Sequence, residues 1–406
     1  MNKKNMKTLR RLTGNRAFSL VRLTTAVALI SGAAAMAFVA ASPGGSPQPA
    51  RTGDADSSMR MRVVNCDRGE NITAVLARAE PGDTIRVTGT CVERVSIKTD
   101  RITLDGQGAA TLDGGGGPTS EFDGVVMIDG ASGVTIQGFT VQNGPGEGIL
   151  GTHGAAFSVR NTTVQDNGST GVVVAEGSTA ELTDCSILRN DAGIDVFTQS
   201  SAVLKGAIRT NDNLLNGATV NGTSIIEIRG AQVEASRNGG EGLAAGSNSQ
   251  LAVFGFAGSQ GSTFTIDANG GGGILLGDSI LNVFSESTIA ITNSPLGILC
   301  GAGKIISPFG VARFVIENNG VGLDFGLDGT ALLVGGLTVR NNGTGVRGDG
   351  AGVLTFISIP PNPSAITGNG VDVDLRFGAR ATFDGVDVGT ITCDSTVLSR
   401  GTTVCP

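Results

Sequence analysis

The stretch VQDNGSTGV, residues 164–172, is one copy of a pattern that repeats along this 406-residue chain. A β-branched residue is followed three positions later by Asn, then by a short turn rich in Gly, and then by an apolar residue that restarts a strand. Ile187, Asn190 and Ile194 occupy these places in the next copy. Repetition at a nearly fixed period predicts a solenoid, in which each coil buries its apolar face only by stacking on its neighbours. The asparagines of the pattern recur every 21 to 31 residues, at Asn143, Asn167, Asn190, Asn211, Asn238, Asn269, Asn293, Asn319, Asn342 and Asn369.

The repeated asparagines favour a structural role over a catalytic one. Asn tolerates the left-handed backbone conformation of a tight turn, and its amide can bond to nearby backbone. Stacked coils place equal positions above one another, so we expect a ladder of amides in which each donates to the next. A catalytic site needs one constellation of residues, whereas this pattern supplies ten copies.

The composition is that of an all-β chain. It contains 64 Gly, no Trp and no Tyr, and its many Val, Ile and Thr suit short strands separated by turns. A solenoid grows by adding coils, so the length does not require a second globular domain. We therefore expect a single domain over residues 63–406.

The first 41 residues differ from the rest of the chain. Seven Lys and Arg precede an uncharged apolar run from Leu23 to Val39, which predicts a secretory signal peptide over residues 1–41. A transmembrane anchor is the alternative. Residues 42–62, rich in Pro, Gly and Ser, predict a flexible linker. The mature protein is therefore expected to be periplasmic or secreted, with no stable membrane anchor after cleavage.

Removal of this segment would leave an acidic protein. The whole chain has 29 Lys and Arg against 36 Asp and Glu, and loss of the seven basic residues leaves 22 Lys and Arg. Nucleic acid binding needs a cationic face that displaces counterions, so nucleic acid is not an expected partner. An anionic polysaccharide would need a bridging cation or a local basic patch.

A short amphipathic helix is predicted over residues 71–80, with Ile72, Val75 and Leu76 on one stripe and Pro81 at its end. We expect this helix to cover the apolar end of the first coil and its unpaired strand edge.

The six cysteines of an exported chain suggest disulfides. Cys66 and Cys91 bracket the predicted helix, and a bridge between them would attach it to the first coil. Cys393 and Cys405 could similarly clamp the last coil. The remaining two, Cys185 and Cys300, lie at strand positions that point inward, which predicts buried thiols.

Three segments near the start of the domain, taken together, resemble those of a known protein family. They are NITAVL (71–76), PGDTIRVTGTC (81–91) and ITLDGQG (102–108). With the coils that follow, they resemble secreted bacterial right-handed parallel β-helix proteins of the pectate-lyase-like type. The resemblance covers about residues 63–406 and implies a single-stranded, three-sheet solenoid with an N-terminal capping helix. Its relatives include lyases, polygalacturonases, esterases, epimerases, adhesins and phage spikes, so the fold does not choose a function.

Polygalacturonase-like members carry Asn-Thr-Asp, paired Asp and Gly-His-Gly motifs, which this sequence lacks as a set. Its single histidine, His153, lies in GTHG (151–154). Without companion aspartates, we interpret His153 as a surface turn residue.

Lyase-like members hold Ca²⁺ with acidic side chains from adjacent coils. Asp372 and Asp374 alternate along one predicted strand, so they share a face and form the best candidate metal site. In the alternative interpretation they are solvated residues beside inward-facing valines. No cofactor is assigned, and Ca²⁺ is the one considered.

A second candidate is a patch of mixed charge on neighbouring coils. If the coils stack, Asp184, Arg189, Asp195 and Arg209 form a groove that could bind a uronic acid polymer. Ordinary surface ion pairs are the alternative. The absence of Trp and Tyr, on which sugars commonly stack, argues against an enzyme.

The leading hypothesis is a secreted β-helix that serves as a binding or structural module, with extracellular polysaccharide as its candidate partner. The alternative is a polysaccharide lyase, epimerase or hydrolase that acts on an acidic polysaccharide, with either candidate patch as its site.

Overall fold

The computed structural model describes residues 60–117, 123–254, 261–284, 286–326, 328–401 and 405, which form a parallel β-solenoid. One sheet, here called sheet B, contributes a single strand to each coil, and its 13 described strands define 13 coils. The fold class predicted from the sequence is confirmed. The predicted signal peptide lies outside the described residues, as does most of the predicted linker. The first strand begins at Met61, two residues before the expected start of the domain.

The strands of the described residues fall into two sheets, each built from parallel pairs between successive coils. Sheet B consists of Val95–Ile97, Gly124–Asp129, Glu147–Thr152, Thr170–Val174, Ala192–Val196, Ala218–Val220, Glu241–Ala245, Gly272–Leu276, Leu296–Cys300, Val321–Phe325, Thr344–Asp349, Val371–Arg376 and Ile391–Cys393. Sheet A consists of Met61–Asn65, Thr84–Thr88, Thr90–Val92, Thr103–Asp113, Ser132–Gln142, Ala156–Arg160, Thr163–Gln165, Thr179–Leu188, Ser201–Asn211, Ile225–Arg229, Gln232–Ser236, Gln250–Phe254, Thr263–Asp267, Ile280–Val283, Thr288–Thr292, Lys304–Ser307, Arg313–Glu317, Thr330–Val334, Gly336–Arg340, Val353–Ile357, Ala365–Ile366, Arg380–Asp384, Asp387–Val388 and Leu398–Gly401.

Sheet A forms two of the three walls of the solenoid. Thr179–Leu188 and Ser201–Asn211 each run through both walls and bend in the middle, where Asp184 and Gly206 adopt φ values of 54° and 61°. The pairing register between the two strands also shifts at this bend. In later coils the same two walls are formed by separate strands. Together with sheet B they give the three-sided coil that the resemblance implied.

The solenoid interior is filled by columns of aliphatic side chains. The predicted strand starts Ile149, Val172 and Ile194 are adjacent in the register of sheet B and are fully buried. In the twelfth coil the repeat predicts Val371 as the residue that restarts the strand. The column instead contains Val373, because Val346 pairs with Val373. The predicted phase of that strand was therefore wrong by two residues.

A ladder of side-chain amides lies at the corner between sheet A and sheet B. The Oδ1 atom of Asn190 accepts hydrogen bonds from the backbone N and the Nδ2 of Asn167, at 3.1 and 3.0 Å. The pattern then repeats from coil to coil, so that each side-chain oxygen satisfies a buried turn N–H of the coil before it, with the hydroxyl of Ser294 in place of an amide in one coil. The residues of this ladder are Asn167, Asn190, Asn213, Asn238, Asn269, Ser294, Asn319, Asn342 and Asn369.

Three of the ten asparagines assigned from the sequence lie off this ladder. Asn143 and Asn293 have φ values of 56° and 55° and directly precede the ladder position. Asn211 lies two residues before its ladder residue, Asn213, and its Oδ1 accepts from the N–H of Ser236 instead. The left-handed residue of the turn and the ladder residue are adjacent, and Asn suits both positions, so spacing alone does not separate them.

A second ladder, made of serine, lies where sheet B turns into sheet A. Each Oγ accepts from the backbone N–H one coil earlier, at 3.1 or 3.2 Å. This ladder was not predicted from the sequence, although its serines recur at intervals of 22 to 30 residues. Its members are Ser178, Ser200, Ser224, Ser249 and Ser279, all buried.

The N-terminal coil is covered by a short helix, as predicted, but the helix spans only Ile72–Leu76. Glu93 of the first coil caps its start, accepting from the N–H groups of Ile72 and Thr73. Beyond the helix the chain turns again, and Asp83 accepts from the N–H of Glu80 at 3.0 Å.

Both predicted disulfides are confirmed. Cys66 and Cys91 join the covering segment to the first coil, and Cys393 joins Cys405 at the last coil. Disulfides are typical of proteins outside the cytoplasm. Cys185 and Cys300 are buried thiols, as expected, and burial raises the pKa of each to about 11, which leaves them protonated and unreactive at neutral pH.

Asn238→Ala is expected to lower the free energy of unfolding by about 3 kcal/mol. It removes the oxygen that accepts from both the N–H and the Nδ2 of Asn213, so that the buried N–H loses its acceptor and Nδ2 keeps only its bond to the carbonyl oxygen of Ile187. Urea unfolding followed by circular dichroism measures the change. As a control, Asn143→Gly removes an exposed amide off the ladder, keeps a residue that tolerates positive φ, and should cost less than about 1 kcal/mol. Equal losses in the two variants would contradict the ladder's role.

Candidate functional site

The four residues predicted to bind substrate lie on different parts of the solenoid. Asp184 holds the bend of sheet A, where its Oδ1 accepts from the N–H of Ala207 at 2.8 Å. Arg189 makes a bidentate contact with Asp166 of the preceding coil, at 2.8 and 2.9 Å. Asp184 thus supports the backbone, and Arg189 forms a surface ion pair.

Arg209 and Asp195 lie on opposite sheets. Arg209 is on the outer face of sheet A and pairs with Glu234 of the next coil at 3.3 Å. Asp195 is on the outer face of sheet B, where it lines a cavity. The structure therefore does not bring the four residues into one groove, and Asp195 is the only one of them beside a cavity of sheet B.

The Asp195 pocket has a volume of about 340 Å³. Around Asp195 and Thr219, its walls include the apolar side chains of Phe197 and Leu215 and the amides of Asn216 and Asn221. Leu215 is 59% exposed, so an apolar surface stands at the pocket's edge.

A chain of hydrogen bonds runs along the polar side of the pocket. Asn216 Nδ2 donates to Thr219 Oγ1 at 3.2 Å, and Thr170 Oγ1 donates to Asp195 Oδ2 at 3.0 Å. Burial raises the pKa of Asp195 above its usual range, although hydrogen bonds from Thr170 and Thr219 act in the opposite direction. A partly buried carboxyl beside amides and an aromatic ring can contact both the hydroxyls and the apolar face of a small polar ligand.

Asp372 and Asp374 do not form a metal site in this arrangement. Asp372 is buried and ends the asparagine ladder: its Oδ1 accepts from the N–H and Nδ2 of Asn369, and its Oδ2 accepts from the N–H and Oγ1 of Thr390. Asp374 faces outward and pairs with Arg376 at 2.9 Å. The geometry therefore does not suit a Ca²⁺ site at these two residues. Both oxygens of Asp372 already accept two hydrogen bonds each, and the carboxylate of Asp374 is paired with Arg376.

Asp374 belongs instead to a cluster of five charged side chains on sheet B, here called the Asp–Arg cluster. Asp324 makes a bidentate contact with Arg347 of the next coil, and this contact raises the pKa of the Arg347 guanidinium. Asp374 makes the equivalent contact with Arg376 on its own strand. The fifth member, Asp349, is in register with Arg376.

Asp349 has an unsatisfied oxygen. Its Oδ1 is buried and has no hydrogen-bond partner in the described residues. A buried carboxylate oxygen without a donor is costly, and such atoms are rare in folded proteins. This oxygen is therefore an unsatisfied acceptor with almost no solvent exposure of its own.

Of the five members of the Asp–Arg cluster, only Asp374 was predicted from the sequence as a site residue. The signal was present: Asp324 and Arg347 each follow a residue of the buried column, Leu323 and Val346. The error of two residues in the next strand concealed that Asp374 stands at the same place after Val373.

His153 is an exposed turn residue, as predicted, and bridges two coils. Its Nδ1 lies 2.8 Å from Asp129 and its Nε2 lies 3.3 Å from Glu176. Lys98 also pairs with Asp129, at 2.9 Å. The row crosses four coils and alternates Lys98 and His153 with the carboxylates of Asp129 and Glu176, which is the arrangement of a polar network on the surface.

Within the described ranges, one group of three acidic, imidazole or thiol residues has ligand atoms within 4.8 Å of one another. It consists of Cys66, Cys91 and Glu93, but the two sulfurs are joined in a disulfide and Glu93 caps the helix.

The one described α-helix, Ile72–Leu76, falls far short of the length that a membrane span requires, and no candidate membrane-spanning helix occurs elsewhere in the described residues.

The comparison with family models agrees with the architecture. The family model of the right handed beta helix region matches residues 119–256. No curated protein sequence matches the chain. Similar solved structures include pectate lyase Pel9A, at 14% identity and a TM-score of 0.41, covering 83% of this chain and 79% of that one.

Two further structures are comparable. An alginate lyase from Paenibacillus sp. has 11% identity and a TM-score of 0.41, with coverage of 81% and 99% of the two chains. The A-module of the mannuronan C-5 epimerase AlgE6 from Azotobacter vinelandii has 15% identity and a TM-score of 0.40, with coverage of 81% and 93%. Likeness at this level does not specify a substrate or an activity.

Asp195→Asn is expected to change how stability depends on pH. Because the folded-state pKa of Asp195 is raised, the folded protein holds this proton more tightly than the unfolded chain, for which about 3.9 is usual. The wild type therefore loses stability as pH rises from about 4 through the raised pKa, and Asn at this position removes that loss.

Urea unfolding of both proteins across this pH range measures the effect. The difference in stability, variant minus wild type, should increase with pH and then level off. A difference that stays constant with pH would show that Asp195 titrates normally.

Proposed function

We propose that this chain, a right-handed parallel β-helix protein with pectate-lyase-like architecture, is exported and binds an extracellular polysaccharide on the outer face of sheet B. The observation that carries the proposal is Asp349, a partly exposed carboxylate of the Asp–Arg cluster whose Oδ1 has no hydrogen-bond partner among the described residues. The two disulfides support an extracytoplasmic location.

The ligand chemistry follows from the charges of the cluster. Arg347 and Arg376 are each held by an aspartate, so neither guanidinium is free to bind an anion without breaking an ion pair. Asp349 adds one further negative charge. A ligand of this face therefore has to offer hydrogen-bond donors to its carboxylates, and hydroxyl groups supply them without adding repulsion.

The same reasoning favours a neutral polysaccharide over a polyuronide. Outside the cluster, Arg189 and Arg209 also pair with carboxylates of adjacent coils. A uronic acid polymer would have to displace these partners, whereas the hydroxyls of a neutral polymer can bond to carboxylates that are already in place.

Asp349→Ala is expected to weaken polysaccharide binding about tenfold without lowering stability. The oxygen has no partner in the free protein, so its loss removes no internal hydrogen bond, while a hydrogen bond from a ligand hydroxyl to a charged group contributes about 1.5–3 kcal/mol. Affinity electrophoresis in gels containing xylan, mixed-linkage β-glucan, pectate or alginate measures binding, and thermal unfolding measures stability.

Asp387→Ala is the matched control. It removes an exposed carboxylate from sheet A near the same end of the solenoid, and it should leave retardation by the neutral polysaccharides unchanged. Equal retardation of the wild type and Asp349→Ala would contradict the proposed site. Failure of the wild type to bind any polysaccharide would contradict the function.

The second candidate function is a lyase, epimerase or hydrolase that acts on acidic polysaccharide. Its support is that the Asp–Arg cluster places carboxylates beside guanidinium groups on neighbouring coils, which are the residue types needed for proton transfer and charge stabilisation.

Incubation with pectate, alginate and hyaluronan, with and without Ca²⁺, tests this candidate. Ultraviolet absorbance detects unsaturated lyase products, reducing-end assays detect hydrolysis, and proton NMR detects epimerisation. A binding module gives none of these products, and their appearance in the wild type with loss in Asp349→Ala would establish the enzyme.

A further inference from the structure

The carboxylate of the Asp195 pocket has no cationic partner. On the same face of sheet B, Asp324 is neutralised by Arg347 of the next coil. No Lys, Arg or His lines the pocket within the described residues, where Asp195 accepts only from the hydroxyls of Thr170 and Thr219. The fold therefore leaves a negative charge unneutralised at the wall of a cavity.

Asp195 also lies beside apolar side chains on the outer face of the sheet. Val173 precedes it in the register of sheet B. Val173 packs with Leu150 and Ala175 in a small apolar cluster separate from the interior core, and Phe197 of the pocket packs against the same cluster. Apolar surroundings disfavour a charged carboxylate, and a cation in direct contact restores the charged form.

The pocket retains hydrogen-bonding groups that the fold does not use. A carboxylate can accept about four hydrogen bonds, of which Thr170 and Thr219 supply two. The side-chain amide of Asn221 makes no hydrogen bond within the described residues. Asn216 donates one N–H of its amide to Thr219 at 3.2 Å and has a second N–H on the same nitrogen. The cavity therefore offers acceptors at the carboxylate and both donors and acceptors at the amides.

These features together define the chemistry of a ligand. A cationic group would neutralise the carboxylate, hydroxyl groups would bond to the amides, and an apolar face would contact Phe197 and the exposed Leu215. A sugar ring that bears a protonated amino group combines all three. A neutral sugar lacks the charge, and a simple amine lacks the hydroxyls. The cavity of about 340 Å³ is of the size that a small ligand occupies.

We propose that the Asp195 pocket binds a single amino-sugar ring through its ammonium group. The ammonium group donates to Asp195, ring hydroxyls bond to the amides of Asn216 and Asn221, and the apolar face of the ring lies against Phe197. This site goes beyond the proposed function, since it shares no residue with the Asp–Arg cluster and takes a cationic ring, whereas the cluster takes a neutral chain.

Three closely related sugars test the ligand chemistry. Calorimetric titration with glucosamine, N-acetylglucosamine and glucose compares an ammonium group, a neutral amide and a hydroxyl at the same position of the ring. Glucosamine should bind about tenfold more tightly than the other two, because a hydrogen bond between charged groups is stronger than a neutral one. Equal affinity for the three sugars, or no binding of glucosamine, would overturn the proposal.

Asp195→Asn keeps the shape of the side chain and removes its charge. It should lower the affinity for glucosamine about tenfold and abolish the preference over glucose. Asp278→Asn is the matched control, because Asp278 is an exposed carboxylate that follows a sheet B strand three coils further along. An equal loss in both variants would show only a general attraction of cations to an acidic protein, which would contradict the site.

Asn221→Ala tests whether the ligand is a sugar. The amide has no internal hydrogen bond among the described residues, so thermal stability should be unchanged. Affinity for glucosamine should fall about fivefold, and affinity for cyclohexylamine, which has no hydroxyls, should stay the same. If cyclohexylamine binds the wild type as tightly as glucosamine does, the pocket is a general cation site and the sugar assignment is wrong.

The pH dependence gives an independent readout. Burial raises the pKa of Asp195, so its carboxyl takes up a proton at a higher pH than usual. Affinity for glucosamine should fall as pH is lowered through this pKa, whereas the weaker affinity of Asp195→Asn should stay constant over the same range. No other titratable group lines the pocket among the described residues, and the neighbours in register, Val173 and Thr219, do not titrate.

Glucosamine oligomers distinguish a free amino sugar from the end of a chain. If a chain end enters the pocket, a dimer should bind more tightly than the single sugar, since its second ring contacts Leu215 at the pocket's edge. Equal affinity would identify the free sugar as the ligand, and both results support the same site.

This proposal and the proposed function fail separately. Asp349→Ala should bind glucosamine as the wild type does, and Asp195→Asn should bind xylan or β-glucan as the wild type does. If the wild type binds a neutral polysaccharide but not glucosamine, only the amino-sugar site is overturned. If it binds glucosamine but no polysaccharide, only the proposed function is overturned.

Discussion

The structure depends on one hydrogen bond repeated from coil to coil: a side-chain oxygen of one coil accepts from a buried backbone N–H of the coil before it. Strand N–H groups in a solenoid pair with the adjacent coil, but each turn interrupts that pairing and buries donors that need acceptors. Asn supplies the acceptor at the corner between sheets A and B, and Ser supplies it at the opposite end of sheet B. Because each oxygen reaches only one register, the ladders hold equal positions of successive coils in line.

This alignment produces the outer surface on which function depends. With the register fixed, residues about one coil apart become neighbours, and ion pairs such as Arg189–Asp166 and Arg347–Asp324 form between adjacent coils.

Much of the fold could be predicted from the sequence because successive coils have the same residue types at the same positions of the repeat. The buried aliphatic column and both disulfides follow from periodicity and position, and the structure confirms them. Phase errors arose where the repeat departs from its usual residues. In one coil Thr210 takes the place of a β-branched aliphatic residue, which shifted the assignment from Asn213 to Asn211. In another, Asp372 stands where preceding coils have glycine.

The candidate site was less predictable, since it lies on the face where the sequence is not constrained by packing. Asp195 could be named from its charge, but its pocket depends on the path of the turn that carries Leu215 and Asn216, which has no repeat to predict it. Asp349 could not be identified from the sequence, because the lack of a hydrogen-bond partner at its Oδ1 is seen only in the three-dimensional structure.

Native-state hydrogen exchange of the ladder amides tests the central claim most directly. The backbone N–H groups of Asn190, Asn213 and Asn238 lie in turns, yet each donates to a buried oxygen of the next coil. Resolved by NMR, they should exchange as slowly as the strand amides of Val172 and Ile194. Exchange at the rate of exposed turn amides would show that the side-chain ladder does not hold the coils in register.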